Sequence, residues 1–195
     1  MSDYSVVAQV SQVLRRILAE AFIRDPVINQ FITNDSEIVF DNPTQTAQNT
    51  ANKLSLWLYQ INENEFVKNQ PMMAGTQNDT VRAPPLALNL YYLLTPFGPS
   101  GVADHLILGS AMRVLYDNAT VLLRDPVAQI AEELRVVFCR LTLEELTRIW
   151  EALREPYRLS VCYQIRVARV DSQREPPRAR VFERDSAFGD MLAEA

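Results

Sequence analysis

Apolar side chains recur at three- and four-residue spacing over residues 5–23, and charged residues such as Arg15 and Arg16 occupy the other face. The apolar positions are Val6, Val10, Val13, Leu14, Ile17, Leu18 and Ala21. Asp25 and Pro26 follow, and a proline disfavours helical geometry in the residue before it. The pattern therefore predicts an amphipathic helix over residues 5–23.

Three later segments alternate apolar and other side chains with the period of a strand: Lys53–Asn62, Leu86–Leu94 and Arg158–Val170. Both faces of the first are apolar, which predicts a central strand covered on both sides. The last has about thirteen residues, more than twice the usual length, so we expect one end to project past its sheet towards a neighbouring molecule. Shorter strands are predicted around residues 37–40 and 134–138.

Two further helices are predicted. One runs from Val102 to Asp117 after the turn at residues 98–101. The other begins at Thr142, because Thr142 and Glu145 form the pattern of a capping box, and it stops before Pro156. Helices and strands alternate along the chain, which predicts an α/β (α+β) domain with one mixed sheet flanked by helices.

We assign that single domain to residues 1–171. Within it, residues 63–85 are polar and rich in proline, and we expect a long loop there. Residues 172–195 are charged and contain Pro176 and Pro177, so we predict an exposed tail that is mobile in the isolated protein.

The composition narrows the class of protein. Of 195 residues 48% are hydrophobic, which is enough for a core, and the net charge of −5 argues against nucleic acid as a main partner. Neither a signal peptide nor a membrane-spanning run is evident, and only two cysteines are present. We expect a cytoplasmic protein.

The residues that support catalysis are scarce. The one histidine, His105, has no His or Cys three or four positions away with which to bind a metal. Cys139 and Cys162 fall in strand patterns, where free cysteine is usually a small buried hydrophobe. The run from Gly98 to Gly101 lacks a phosphate-loop lysine and reads as a turn. We therefore predict no catalytic residue, no metal site and no cofactor.

Contact residues are the remaining candidates. Tyr59 and Tyr91 lie at core spacings, with packing as the first interpretation and an interface as the second. Arg166, Arg169 and Val170 lie at the end of the long strand, where we expect contact with a neighbouring subunit.

Several segments in order carry a resemblance over roughly residues 4–171. They are Tyr4-Ser-Val-Val, Leu56-Trp-Leu-Tyr-Gln-Ile-Asn-Glu-Asn64, Lys68-Asn69, Pro84-Pro-Leu-Ala-Leu-Asn-Leu-Tyr-Tyr-Leu-Leu-Thr95, Asp104-His-Leu-Ile-Leu-Gly-Ser-Ala-Met-Arg-Val-Leu115, Leu143-Glu-Glu-Leu with Trp150, and Tyr157-Arg-Leu-Ser-Val-Cys-Tyr163. The set resembles the Pvc16-type family of contractile injection systems, formerly a domain of unknown function. One departure is that Leu88-Asn-Leu-Tyr-Tyr92 stands where the family pattern has Leu-Asp-Leu-His-Tyr, which favours a structural use of this strand.

The resemblance implies a tail-terminator-like fold and a non-catalytic cap, or tail terminator, of a phage-tail-like particle that is assembled in the cytoplasm. Whether that particle is released or stays in the cell is left open. It implies a sixfold ring that contacts the sheath and inner-tube subunits. Two alternatives stay open. One is an adaptor that links the particle to a baseplate or membrane component, and the other is a small thiol hydrolase that uses Cys139 or Cys162 with His105.

Overall fold

The computed structural model describes residues 4–51, 53–67, 73–74, 81–124 and 131–172. The predicted tail, apart from Ser172, lies outside the described residues. The chain divides into two compact units: residues 1–70 with 85–171 form the first, and residues 71–84 with 172–195 form the second.

The first unit contains four α-helices: α1 (Val6–Arg24), α2 (Pro43–Ala47), α3 (Gly101–Asp117) and α4 (Leu143–Leu153). Short 3-10 helices cover Ile28–Gln30, Asp35–Glu37 and Glu65–Val67.

Side-chain caps fix three of the α-helix starts. Asn42 caps α2 and Ser100 caps α3, each by accepting a backbone N–H bond. Thr142 and Glu145 form a complete capping box at α4, which confirms the predicted start of that helix.

Six strands form the sheet of the first unit, in the order β1-β2-β5-β8-β7-β6. Their bounds are β1 Ile38–Val39, β2 Leu54–Glu63, β5 Leu86–Pro96, β6 Thr120–Arg124, β7 Ala131–Cys139 and β8 Val161–Val170. Among the described strand pairs of this sheet only β1–β2 is parallel, so the sheet is mixed as predicted. In the second unit, β3 (Met73–Ala74) pairs antiparallel with β4 (Val81–Arg82).

Helices α1 and α3 pack on one face of the six-stranded sheet, which we call the first face. Apolar side chains from both helices and all six strands form one buried cluster there. Its largest fully buried members are Phe22, Leu18, Ile32, Ile38, Leu54, Leu56, Leu90, Tyr92, Leu94, Ile107 and Leu134. The Tyr92 hydroxyl bonds the Ser11 hydroxyl at 2.7 Å, so a polar contact joins α1 to the middle of the sheet.

The long strand is shorter than predicted. β8 begins at Val161 rather than at Arg158, because its pairing with β5 reaches only to Val161, opposite Leu94. The Arg158 guanidinium lies 4.6 Å from the centre of the Phe97 ring and pairs with Asp104 at 3.3 Å. At the other end of β8, Val170 lies opposite Leu86, the first residue of β5. The expectation that this strand projects past its sheet is therefore wrong.

Other predictions also need correction. β2 is buried at Leu54–Leu56 but exposed from Gln60 to Glu63, so it is not covered on both sides along its length. The predicted loop over residues 63–85 contains a 3-10 helix and the β3–β4 pair. Helix α2 and the edge strand β6 were not predicted, since both are short and lack a long periodic pattern.

Candidate assembly surface

The side of the six-stranded sheet opposite α1 and α3, here the second face, carries a row of three half-buried aromatic side chains. The ring centres of Trp57 and Tyr59 are 6.0 Å apart, and those of Tyr59 and Tyr91 are 6.3 Å apart in an edge-on arrangement. The alternation of β2 sends Leu56 and Leu58 to the first face and Trp57 to the second. Tyr91 lies on the second face because its β5 neighbours Leu90 and Tyr92 belong to the first-face core. Tyr59 is the extra residue of a bulge opposite β5, and such bulges re-aim side chains.

A chain of hydrogen bonds continues from this row to an exposed cation. The Arg166 Nε donates to the Gln164 Oε1 at 2.8 Å, and the Gln164 Nε2 donates to the Tyr91 hydroxyl at 2.9 Å. Gln164 is buried while Arg166 is exposed. The guanidinium is therefore held in place at the surface rather than left to sample many rotamers.

A second cation stands directly opposite the first. Arg135 of β7 is the register partner of Arg166, and both are exposed. Like charges at opposite positions of a strand pair destabilise it, and here Glu133 offsets one of them through a 3.1 Å ion pair with Arg135. The second face thus combines aromatic rings with two arginines, which is the composition enriched in protein interfaces.

A polar cleft of about 580 Å³ lies beside Tyr91 and Arg166. Asn64 builds its wall by donating to the Asn89 Oδ1 at 3.0 Å and accepting the N–H of Phe66 at 3.0 Å. This turn presents the Phe66 ring to solvent with 98% of the residue exposed. A fully exposed aromatic side chain beside a polar cleft suits contact with another protein.

Two titratable groups of the second face, Tyr59 and Cys162, are held protonated. Burial, and then a hydrogen bond with the Cys162 thiol at 3.2 Å, raise the pKa of Tyr59. Burial also raises the pKa of Cys162 to about 12, so this thiol is not a thiolate at neutral pH. Because the thiolate is the reactive form, Cys162 is a poor nucleophile.

The structure does not bring His105 to either cysteine. His105 is exposed on α3, which packs on the first face, and it lines a groove with Asp25 and Arg113. Cys139 and Cys162 lie on the second face. Within the described ranges no group of three or more His, Cys, Asp or Glu is placed to bind a metal ion.

The turn before α3 is a structural turn. The Asp104 carboxylate accepts the Gly98 N–H at 2.6 Å, and Ser100 accepts the Ala103 N–H at 3.2 Å. Both bonds are local contacts of a turn and of a helix cap, which agrees with the interpretation as a turn.

The five predicted contact residues divide into two groups. Tyr59, Tyr91 and Arg166 share the second face. Arg169 forms an ion pair with Glu132 at 3.9 Å, and Val170 packs against the core of the first face.

The residues that sequence reasoning missed are Gln164, Asn64, Phe66 and Arg135. Phe66 could have been found from the sequence, because it is a lone aromatic residue in a polar segment. The roles of Gln164, Asn64 and Arg135 depend on strand pairing, which the sequence pattern does not give.

One protein family and two solved structures are similar to this chain. The family model described as the Pvc16 N-terminal domain matches residues 9–184. A cryo-EM structure of the sheath/tube terminator of PVC, an extracellular contractile injection system, in its extended state is similar with a TM-score of 0.64 and 16% identity, over 97% of this chain and 65% of that one. The tube-terminating cap of the anti-feeding prophage (AFP) is similar with a TM-score of 0.52 and 16% identity, over 92% of this chain and 60% of that one.

At these identities the likeness concerns the fold, and the mixed sheet with flanking helices is the fold of the terminators. The chain spans less than two thirds of the length of either structure. No curated protein sequence matches it. None of the helices in the described part of the chain is both long and apolar enough to cross a bilayer.

Proposed function

Because the chain belongs to the Pvc16 N-terminal domain family, we propose that it is a structural cap subunit, a tail terminator that closes the distal end of the inner tube and sheath of a contractile injection system. The main support is the similarity in fold to a sheath/tube terminator, in a match that covers 97% of this chain. A terminator of this kind stops growth by presenting to the tube a face that no further tube ring can join.

We propose that the subunit forms a homo-oligomeric ring, a hexamer, and that it contacts sheath and inner-tube subunits. A ring closed by head-to-tail contacts leaves no interface unsatisfied. The free protein can remain monomeric until a tube end templates the ring. With a net charge of −5, nucleic acid is not among the proposed partners.

The second face is the surface that we propose for these contacts, through Tyr59, Tyr91 and Arg166. Aromatic side chains bury a large area at low entropic cost, and an arginine held by Gln164 can pair with a carboxylate without first being ordered. Arg169 and Val170, at the end of β8, are proposed as a separate contact outside the second face, since Val170 packs on the first face.

We further propose that the chain is not an enzyme. The Cys162 thiol is protonated at neutral pH, and its neighbours on the second face are a tyrosine hydroxyl and a second thiol rather than a general base. His105 lies on a helix that packs against the opposite face of the sheet. A nucleophile and its base must lie within hydrogen-bond reach, and these residues do not.

Imaging of particles from cells that lack the gene tests the terminator function. We expect tubes or sheaths of uncontrolled length, or sheaths that detach, because nothing ends their growth. Particles of normal length with a normally closed end would contradict the terminator function, and the adaptor function would then take its place.

Complementation of the same cells tests the surface. Arg166→Ala should fail to restore normal particles, since interface arginines of this kind contribute about 2 kcal/mol or more, or roughly 30-fold in affinity. The matched control is Arg148→Ala, which removes an exposed arginine of α4 whose pairing with Glu144 is local. Equal rescue by both variants would contradict a contact role for Arg166.

A further inference from the structure

The two cysteines of the chain form a cross-strand pair. Cys139, the last residue of β7, lies directly opposite Cys162 of β8, and both side chains point to the second face. Residues opposite each other in antiparallel strands have Cα atoms about 4.5 or 5.5 Å apart, within the 4.4–6.8 Å that a disulfide spans. Their Cβ atoms, about 4.5–5.5 Å apart, need to approach by about 1 Å at most.

The two thiols differ in access. Cys162 is buried with 2% of the residue exposed, whereas Cys139 is half-buried and can be reached from solvent. The Cys139 thiol lies close enough to Cys162 to contribute to the raised pKa of that group, after the larger effect of burial. One accessible thiol beside one protected thiol is the arrangement of an attacking and a resolving cysteine.

We propose that Cys139 and Cys162 are an oxidative modification site, at which a small disulfide oxidant such as oxidised glutathione closes a cross-strand disulfide. The Cys139 thiol loses its proton, attacks one sulfur of the oxidant and displaces one glutathione thiolate, which leaves a mixed disulfide. Cys162 is a poor nucleophile towards an external molecule, but the Cys139 sulfur of the mixed disulfide lies directly opposite it, and this proximity offsets its small thiolate fraction. Cys162 loses its proton to solvent, attacks the Cys139 sulfur and displaces the second glutathione as a thiolate. The protein loses two protons and two electrons, and one oxidised glutathione becomes two reduced ones.

The bond would lock the last pair of the β7–β8 ladder. The segment that it closes carries α4, whose Trp150 is buried and donates to the Ser160 hydroxyl at 3.3 Å. In the disulfide form Cys162 no longer has a thiol to share in the hydrogen bond with the Tyr59 hydroxyl, so the aromatic row of the second face changes its hydrogen bonding. The reaction needs surroundings more oxidising than a cytosol. It does not depend on the chain being a cap, and a failure of either idea leaves the other standing.

The test uses the free, folded protein, reduced and then incubated with oxidised glutathione near pH 8. We expect the intact mass to fall by two hydrogen atoms and a non-reducing peptide map to join the peptides of Cys139 and Cys162. The melting temperature should rise by roughly 5–10 °C above that of the reduced protein, because a closed loop restricts the unfolded chain. A monomer that keeps two free thiols, an endpoint at the glutathione adduct of Cys139, or a linkage between two chains would each overturn the proposal.

Single variants separate the two steps. Cys162→Ser should stop at one glutathione adduct on Cys139, because no second thiol resolves it. Cys139→Ser should stay largely unmodified on the same timescale, since its remaining thiol is buried. Modification of Cys139→Ser as fast as the unsubstituted protein would contradict the assigned order of attack. The mass and peptide map of the unsubstituted protein decide the question even if a variant fails to fold.

Discussion

Replacing Tyr92 with phenylalanine isolates one buried hydrogen bond between the sheet and α1. Tyr92 is 0% exposed, and its hydroxyl lies 2.7 Å from the Ser11 Oγ. Ser11 keeps an acceptor in the Val7 carbonyl at 3.2 Å, so the substitution leaves no hydroxyl of Ser11 without a partner. We therefore expect Tyr92→Phe to lower the free energy of unfolding by about 1 kcal/mol near neutral pH, the usual contribution of a neutral hydrogen bond.

The same substitution should become stabilising at alkaline pH. Burial raises the pKa of Tyr92 from its ordinary value of 10.0 to about 12. Between these values the unfolded chain binds fewer protons than the native one, so the contribution of Tyr92 is complete below pH 10.0 and is lost as the pH rises through about 12. The loss approaches roughly 2.7 kcal/mol, at about 1.4 kcal/mol for each pH unit. Phenylalanine does not titrate, so the free energies of unfolding of the unsubstituted protein and of Tyr92→Phe should become equal at about pH 11.

Urea unfolding followed by far-ultraviolet circular dichroism, at a series of pH values from neutral to about 11.5, measures both effects. Tyr116→Phe is the matched control, since Tyr116 is 81% exposed and its replacement should change stability by less than about 0.5 kcal/mol. A constant difference between the unsubstituted protein and Tyr92→Phe across the whole series would refute the burial of an un-ionised hydroxyl. A loss above about 3 kcal/mol near neutral pH would show that more than one hydrogen bond had been removed.

Gly98→Ala should lower the free energy of unfolding by about 1–3 kcal/mol, because the new Cβ would lie 2.8 Å from the Cβ of Ala103. Gly109→Ala, in α3 with nothing within 4 Å of its added Cβ, should instead raise it by about 0.5–1 kcal/mol, and urea unfolding of both distinguishes a crowded site from a helical one. Thr142→Ala removes the hydroxyl that accepts the Glu145 N–H and should cost about 1 kcal/mol in the same assay; no change would mean that the capping box is not formed in solution. Zinc, magnesium or ATP should leave the melting temperature unchanged, and a shift of several degrees by differential scanning fluorimetry would reveal a site that we do not predict.

Local features could be read from the sequence because their causes lie within a few residues. The period of α1 and the start of α4 at Thr142 depend on neighbours three or four positions away, and both agree with the structure. The alternation that marked β5 likewise appears in the structure as Leu86–Pro96. From these elements the mixed sheet with flanking helices followed, and the ordered motifs led to the family.

The strand bounds, the covered face of the sheet and the cross-strand partners depend on tertiary structure, because strand pairing joins residues that are far apart in the sequence. Alternation runs on through residues 158–160, but the ladder begins only at Val161, opposite Leu94 of β5. The same alternation could not say which face α1 and α3 cover, and therefore which tyrosines remain accessible. Only the order β5-β8-β7 places Arg166 opposite Arg135, and the same register sets Cys162 opposite Cys139. The periodicity of a single strand does not show which residues lie opposite each other, because the register is a property of two paired strands.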